Sequence, residues 1–519
     1  MDDMKKQVLE SLHRVKDMLP LLRTHITPTT CLVGVSAGLA AYWLIKRNKY
    51  RLPPGPLALP LVGNYSLLGD PMLHETCARL SEKYGPVITI QFGPMQMVIL
   101  NTIEAVVEAM VTKGADFANR PVTISGLELS EGGKNIFLSQ YTPTWKLHRK
   151  LATKALRKYL RGEKPQTAVH ASMKEFTTLL TNTKGEAFTP HAYVDHALFN
   201  VMCGLCFNKV YNFNNDTFKK FMNADDEFIK EFGHGLIEDA FPILAKIWPS
   251  QQYRKVLGYF NTMLQFLLDE FQEHVDQFDS NEIRDITDFV ILARKEAEDE
   301  EDAELLSQLT DVHLRQTIAD LFFAGFETTR LTLTWGLLYL ADHQEVQRRV
   351  QAEVDKVVGR DRLPTIKDRA DLPYTEAVIY EVMRIASVVP FGVAHAARVD
   401  SKICGYDIPQ GTTVAINHWA LHNDPRHWKQ PQIFNPERFL TSEGKLAPPP
   451  ESFLPFSVGK RMCLGESAAK QELMLIIPII LQEFNIKLPP GVTADYSPEA
   501  SGLTGYMANR YLISVEKRQ

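Results

Sequence analysis

The chain has 519 residues, 45% of them hydrophobic and 10% aromatic, and a formal net charge of −5. That is enough apolar material for a large core, and it gives no reason to expect a nucleic-acid partner. Six cysteines (Cys31, Cys77, Cys203, Cys206, Cys404, Cys463) are too few and too irregularly spaced for a disulfide framework, so a reducing compartment fits better.

In residues 1–26, Met4, Val8, Leu12, Val15, Leu19 and Leu22 recur at helical spacing. The pattern predicts an interfacial helix, with a disordered or differently packed segment as the alternative. Thr27 to Ile45 is uncharged for nineteen residues. As a helix that run spans about 28 Å, the thickness of a bilayer's hydrocarbon core. Lys46, Arg47, Lys49 and Arg51 follow at once, which favours the cytoplasmic side for everything after them. The basic residues stand on the wrong side for a cleaved signal peptide, and Asp2 and Asp3 argue against a mitochondrial transit peptide.

Residues 46–64 are basic and then proline-rich; RLPPGPLALPLVGN, from Arg51 to Asn64, predicts a stiff, extended linker. Beyond it there is no second linker and no internal repeat, so residues 65–519 read as one domain. VITIQFGPMQMVIL (Val87 to Leu100) predicts a hairpin around Gly93-Pro94, and Lys402 to Ile416 predicts another. Helical patterns cover Trp145 to Leu160, Phe218 to Phe232, Tyr253 to Phe278, Leu309 to His343, Glu345 to Val358, Tyr374 to Ala386 and Ser467 to Phe484. The acidic run Glu296 to Asp302 reads as a solvated loop between two helices. The fold class is therefore mainly α with small β-sheets. Cys203 and Cys206 form a CxxC with no second pair nearby, which fits helix packing better than zinc or redox chemistry.

FSVGKRMCLG, residues 456 to 465, holds one cysteine flanked by glycines. A lone free cysteine is ordinarily a small buried hydrophobe. A thiolate that binds a large flat cofactor, by contrast, needs close backbone approach, which glycine permits. Amide N–H groups turned toward the sulfur would stabilise its charge. The run Phe456-x-x-Gly459-x-Arg461-x-Cys463-x-Gly465 resembles the haem-binding loop of the cytochrome P-450 monooxygenases, with every defining position present. The resemblance extends over residues 50 to 519 and implies that family's fold behind an N-terminal transmembrane anchor. It makes Cys463 the iron ligand of haem b, with Arg461 at the cofactor's anionic edge and Phe456 shielding the sulfur.

Further motifs stand in the family's order. EVMR and PERF resemble the segments that form a structural triad, here Glu381, Arg384 and Arg438. WKLHR resembles the family's WxxxR, which implies that Trp145 and Arg149 bind haem propionates. His395 falls where many relatives place another propionate ligand; a packed or surface histidine is the alternative. In DLFFAGFETTR, Gly325 resembles the glycine that leaves room for dioxygen over the haem, and Glu327 and Thr328 resemble the acid–alcohol pair that relays protons to activated oxygen.

No flavin or nicotinamide fingerprint is present, so electrons must come from outside the chain, and the resemblance implies NADPH through a separate reductase. The resemblance names NADPH–cytochrome P-450 reductase, with cytochrome b5 as a further partner. Lys146, Lys150, Lys154, Arg157, Lys158 and Lys460 would give an acidic reductase a basic docking face; solvated helix charge is the alternative. Location in the endoplasmic reticulum membrane, with a cytosolic catalytic domain, follows from the same resemblance. CFNKVY and INHWALHNDPRHWKQPQIFNPERFL are most similar to steroid 17α-hydroxylase/17,20-lyases of the microsomal animal branch. That likeness implies a lipophilic, steroid-like substrate touched by Asn208 and Ala324, with xenobiotic or fatty-acid oxidation as the alternative. Arg330 departs from it, replacing a smaller polar residue. A haem-thiolate isomerase or dehydratase usually lacks the acid–alcohol pair, and a non-catalytic haem protein would show no turnover.

Overall fold

The computed structural model describes residues 50–519, apart from residues 60–61, 68, 161, 234 and 501–505, together with Gly34 and Gly38. The expected interfacial helix at 1–26 and the expected membrane span at 27–45 lie outside the described residues, Gly34 and Gly38 excepted. Among the described residues, no helix is long and apolar enough to cross a membrane.

The longer helices are α1 (Leu73–Tyr84), α2 (Pro143–Leu160), α3 (Lys164–Asn182), α4 (His191–Phe207), α5 (Asp216–Phe232), α6 (Gln251–Asp276), α7 (Ile286–Asp299), α8 (Asp311–Asp342), α9 (Gln344–Val357), α10 (Pro373–Ala386) and α11 (Glu466–Glu483). Oxygen-bearing caps start several of them. The Asn215 side chain accepts from the Thr217 and Phe218 N–H groups, Ser250 from Tyr253 and Thr310 from His313. The α8 helix is the axis of the fold: every residue from Leu331 to Ala341 is buried. A helix apolar all round is one that neighbours enclose on every side. The main core cluster gathers around it from α3, α4, α5, α6, α7, α10 and α11.

Strands β1 (Val87–Phe92) and β2 (Met95–Leu100) form the expected antiparallel hairpin. The second expected hairpin is divided. Strands β4 (Ser401–Ile403) and β5 (Tyr406–Ile408) pair with each other, but β6 (Thr413–Ile416) leaves them to run parallel to β2, with β3 (His395–Ala396) on its far side. All four residues of β6 are buried, which a two-stranded ribbon at the surface could not achieve. The remaining strands are β7 (Phe484–Lys487), β8 (Pro498–Ala500), β9 (Met507–Ala508) and β10 (Ser514–Lys517).

The proline-rich run is tied to the domain: the Thr89 N–H donates to the Pro54 carbonyl at 2.9 Å, and the Asn64 N–H to the Gln91 carbonyl at 2.6 Å. It lies docked along β1. The acidic run is half helical, since α7 continues to Asp299. Arg294 and Lys295 both pair with Glu298, which offsets the repulsion that made the stretch look like a loop.

Candidate active site

The cysteine loop precedes α11. Gly459 adopts φ +84°, and a Cβ there would stand 2.1 Å from the Met110 carbonyl oxygen, so glycine is required by this turn and by the close approach of a neighbouring backbone. The Cys463 N–H donates to the Phe456 carbonyl at 3.0 Å, closing the loop, and the Gly465 N–H points at Cys463 Sγ at 3.3 Å. The half-buried Phe456 ring packs on the main core beneath Lys470. Cys463 is exposed, yet enough protein surrounds its sulfur for desolvation to raise the thiol pKa, while the Gly465 N–H and Arg149 draw it back. The CxxC pair differs. Cys203 and Cys206 are wholly buried in α4 with burial raising both thiols, which is the packing role expected of them.

Around this thiol stands a group of cations. Arg461 is buried and donates to the carbonyls of Ala118 at 2.7 Å, Ile136 at 3.2 Å and Ser139. Arg149 donates to the Met462 carbonyl, one residue before the cysteine. Arg120, which sequence reasoning missed, is buried and donates to Phe137, Val393 and Ala394 carbonyls. Among the described residues none of the three guanidinium groups has a carboxylate partner. Their pKa values are accordingly depressed: Arg461 falls to about 9 through burial and then Arg149, and Arg120 falls through burial and then Arg461 and Arg149. Trp145 is sandwiched, with Arg461 Cζ 4.0 Å and Arg149 Cζ 5.4 Å from its ring centre. Its indole N–H, expected at the cofactor, donates to the Ile136 carbonyl at 3.0 Å. Buried His395 has Nδ1 2.9 Å from the Phe117 carbonyl. Arg120 carried no motif of its own; only the return of β3 beside residues 117–120 brings it here.

The expected triad is assembled as the motifs required. Arg384 grips Glu381 with two bonds of 2.7 and 2.8 Å, and Arg438 Nε donates to the same carboxylate at 3.0 Å; Glu381 and Arg384 are wholly buried. A second missed residue connects this triad to the cysteine loop. The carbonyl of His422 accepts from Arg384 at 2.9 Å, and its ring Nε2 accepts from the Leu454 N–H at 3.1 Å. The Nδ1 atom must therefore carry the ring proton, and it faces Ser387 Oγ at 2.7 Å. Burial, then His418 and Arg384, hold this imidazole neutral.

On α8, Asp320, Ala324 and Thr328 recur every four residues and so share one face. Ala324 is exposed in the middle of the central helix, which marks an internal concavity; Leu321, one turn earlier, packs in the same small cluster as Trp145 and Leu464, the neighbour of Cys463. The Thr328 hydroxyl donates to the Ala324 carbonyl at 2.8 Å. Asp320 accepts from the Ile136 and Phe137 N–H groups and from Asn135, holding the loop whose Phe137 ring is 45% exposed; burial pushes the carboxyl up to about 7.

Three of the expected site residues make other contacts. At Gly325 a Cβ would lie 2.7 Å from Met202 Sδ, so the missing side chain lets α4 pack closely against α8 here. Glu327 does not meet Thr328 but turns to Arg330 at 3.1 Å, because adjacent helical residues point about 100° apart. Asn208 is an exposed helix terminator in the left-handed conformation, φ 51°, beside Lys209, which pairs with Glu270 and Glu273 of α6. Asparagine tolerates that conformation well, and the position puts it at the α4–α6 corner rather than on the Ala324 face.

An exposed thiol with carboxylate-free guanidinium groups nearby and the largely apolar α8 packed against its neighbour Leu464 can receive a flat metallocofactor with an acidic edge. Comparison with known proteins agrees. The family model for cytochrome P450 matches residues 53–513. Steroid 17-alpha-hydroxylase/17,20 lyase of Ictalurus punctatus is 36% identical over 447 residues, covering 85% of this chain and 86% of that one. Cytochrome P450 1A5 of Gallus gallus is 34% identical over 86% of both chains, and cytochrome P450 1A1 of Homo sapiens is 32% identical over 88% of this chain and 92% of its own. The chain belongs to the cytochrome P450 family of haem-dependent, oxygen-incorporating monooxygenases.

Proposed function

We propose that the protein inserts one oxygen atom of O2 into a C–H bond of a lipophilic substrate, a steroid being the first class to test. The carrying observation is the accessible Cys463 thiol beside the carboxylate-free guanidinium groups of Arg120, Arg149 and Arg461. Haem b held there by the Cys463 thiolate supplies oxygen activation, which thiolate ligation favours. The protein's own groups do the rest. Arg120, Arg149, Arg461 and His395 take the cofactor's acidic edge, with Trp145 as the platform that spaces two of the guanidiniums. Gly459 and Gly465 shape the loop and Phe456 keeps water from the sulfur. Glu381, Arg384 and Arg438 fix the loop from behind. Thr328 offers a hydroxyl on the reaction face, and Glu327, turned to Arg330 on the next face of α8, is the acid that feeds it protons; Ala324 and Phe137 give the substrate apolar surface. The likeness to a steroid 17-alpha-hydroxylase/17,20 lyase supports the substrate class.

Electrons are drawn from NADPH through NADPH–cytochrome P-450 reductase, with cytochrome b5 as an auxiliary donor. The six basic residues Lys146, Lys150, Lys154, Arg157, Lys158 and Lys460 are all exposed, and among the described residues none is ion-paired. Reversing the charge of Lys150 and Lys154 is expected to slow reductase-driven turnover and flatten its salt dependence. The setting is the endoplasmic reticulum membrane. Besides the expected anchor, the short helices Ile237–Ala240 and Pro242–Ile247 present Ile243, Ile247 and Trp248 at 59%, 72% and 79% exposure, a surface suited to lipid. The deciding experiment is product formation with reductase and NADPH across a steroid panel, preceded by substrate-induced spectral shifts. Intact haem absorbance with no product from steroids, fatty acids or aromatics would overturn the reading, as would full turnover by Cys463→Ser.

A further inference from the structure

Behind the reaction face, α8 carries a polar cluster that the proposed function leaves unexplained. Arg330 is only 3% exposed. Its Nη1 donates to Asp195 of α4 at 3.2 Å, while its Nη2 donates to Glu327 at 3.1 Å and lies 2.8 Å from Asp225 Oδ2 of α5. Three carboxyl groups thus share one guanidinium. Among the described residues, Asp225 Oδ2, Glu327 Oε1 and Arg330 Nε have no hydrogen-bond partner.

With all three acids ionised, two negative charges would be buried without compensation, and such a site keeps a proton instead. Asp225 is the acid to keep it. It is 3% exposed, it touches the same nitrogen as Glu327, and a hydroxyl on it would give the Glu327 carboxylate the donor it lacks. Burial and then the Glu327 charge hold the Asp225 pKa well above the carboxylate range, whereas Asp195 rises through burial to about 6. The other charged or titratable groups facing the cluster are His191 on α4, Asp226 on α5 and Arg510 near the carboxyl terminus, the last two 3.8 Å apart.

We propose that Asp225 is a positioning residue that stores the one proton of the pair and passes it to Glu327, which then gives it up toward the reaction face. In that step the Asp225 O–H bond breaks and an O–H bond forms on Glu327. The electron pair stays on the Asp225 oxygen beside Arg330 Nη2, and water at the solvent side restores the proton. The pair holds one proton between two carboxylates before the step and after it. Arg330 is what makes the arrangement possible, since it keeps Glu327 turned toward Asp225.

The proposal rests on the monooxygenase reading, and the two fail differently. Infrared difference spectroscopy of full-length protein against Asp225→Asn needs no turnover. The expected result is a carboxylic-acid C=O band that shifts in D2O and is missing from the variant; no such band near neutral pH overturns the proposal. With reductase and substrate, Asp225→Asn is expected to release several-fold more hydrogen peroxide per product formed, with unchanged haem absorbance and substrate-induced spectral shift. Asp226→Asn, which removes a charge on the solvent side, is expected to change neither. A variant that only melts earlier, with the peroxide-to-product ratio unmoved, shows a structural role and overturns the proposal. Should Asp225→Asn fail to fold, the unsubstituted protein decides: product per reductant must fall as alkaline titration removes the infrared band, and a flat ratio overturns the idea. If the unsubstituted protein itself consumes no oxygen, the monooxygenase reading has failed rather than this one.

Discussion

Gly459 and Gly465 flank the same cysteine for different reasons. At Gly459 a side chain meets both a left-handed backbone and the Met110 carbonyl at 2.1 Å; at Gly465 the nearest atom is Cys463 Sγ at 3.8 Å, an ordinary contact. Gly459→Ala is therefore expected to lose most haem on purification, with at least about 1–2 kcal/mol from backbone strain before the clash is added. Gly465→Ala should retain haem, and equal retention by the two variants would refute this distinction. The sequence marked both glycines through one motif. It could not separate them, because the Met110 carbonyl that makes one indispensable comes from more than three hundred residues away.

At the scale of elements, the cysteine loop is held by a chain of contacts: Glu381 to Arg384 on α10, Arg384 to the His422 carbonyl, and the His422 ring to Leu454. Glu381→Gln leaves buried Arg384 and half-buried Arg438 without their shared charge and should cost on the order of 3–5 kcal/mol of stability, read by denaturant melting. His422→Leu breaks only the link to the loop. It is expected to lose haem at a milder denaturant concentration than that which unfolds the helices, so absorbance and circular dichroism transitions separate. Coincident transitions would count against it. Helices with one polar face, such as α5 and α9, were legible from their period. The α4 helix was not: twelve of its seventeen residues are buried, so it shows no polar stripe to reveal its turn.

Over the whole molecule, several histidines are folded in neutral form. Burial lowers His74, His191 and His418 to about 4, and it also holds His395 and His422 well below the ordinary imidazole value. Each is a base whose pKa is depressed by folding, so below its unfolded value of 6.5 the unfolded chain binds more protons than the native one. Their contribution to stability rises with pH across this window and is lost as pH falls from about 6.5 toward 4, while the raised carboxyls of Asp195 and Asp320 contribute the opposite slope. Urea melts through that range measure it; His418→Asn should flatten the slope, and an unchanged slope would be inconsistent with a neutral buried ring. A second expectation concerns lipid. Replacing Ile247 and Trp248 by serine should weaken vesicle binding of protein lacking residues 1–45, with haem absorbance unaltered.

The sequence by itself determined the chemistry: a cysteine in a glycine loop, a Glu–Arg pair three residues apart and an acid–alcohol pair are local patterns, and local spacing is enough to state them. Only the tertiary structure decided which groups converge. Arg120 and His422 joined the site through chain returns from 273 and 38 residues away. Asn208 ends a helix and Gly325 admits a neighbouring helix, roles that local spacing did not announce. Burial and long-range charge set those outcomes, and neither is a property of neighbours along the chain.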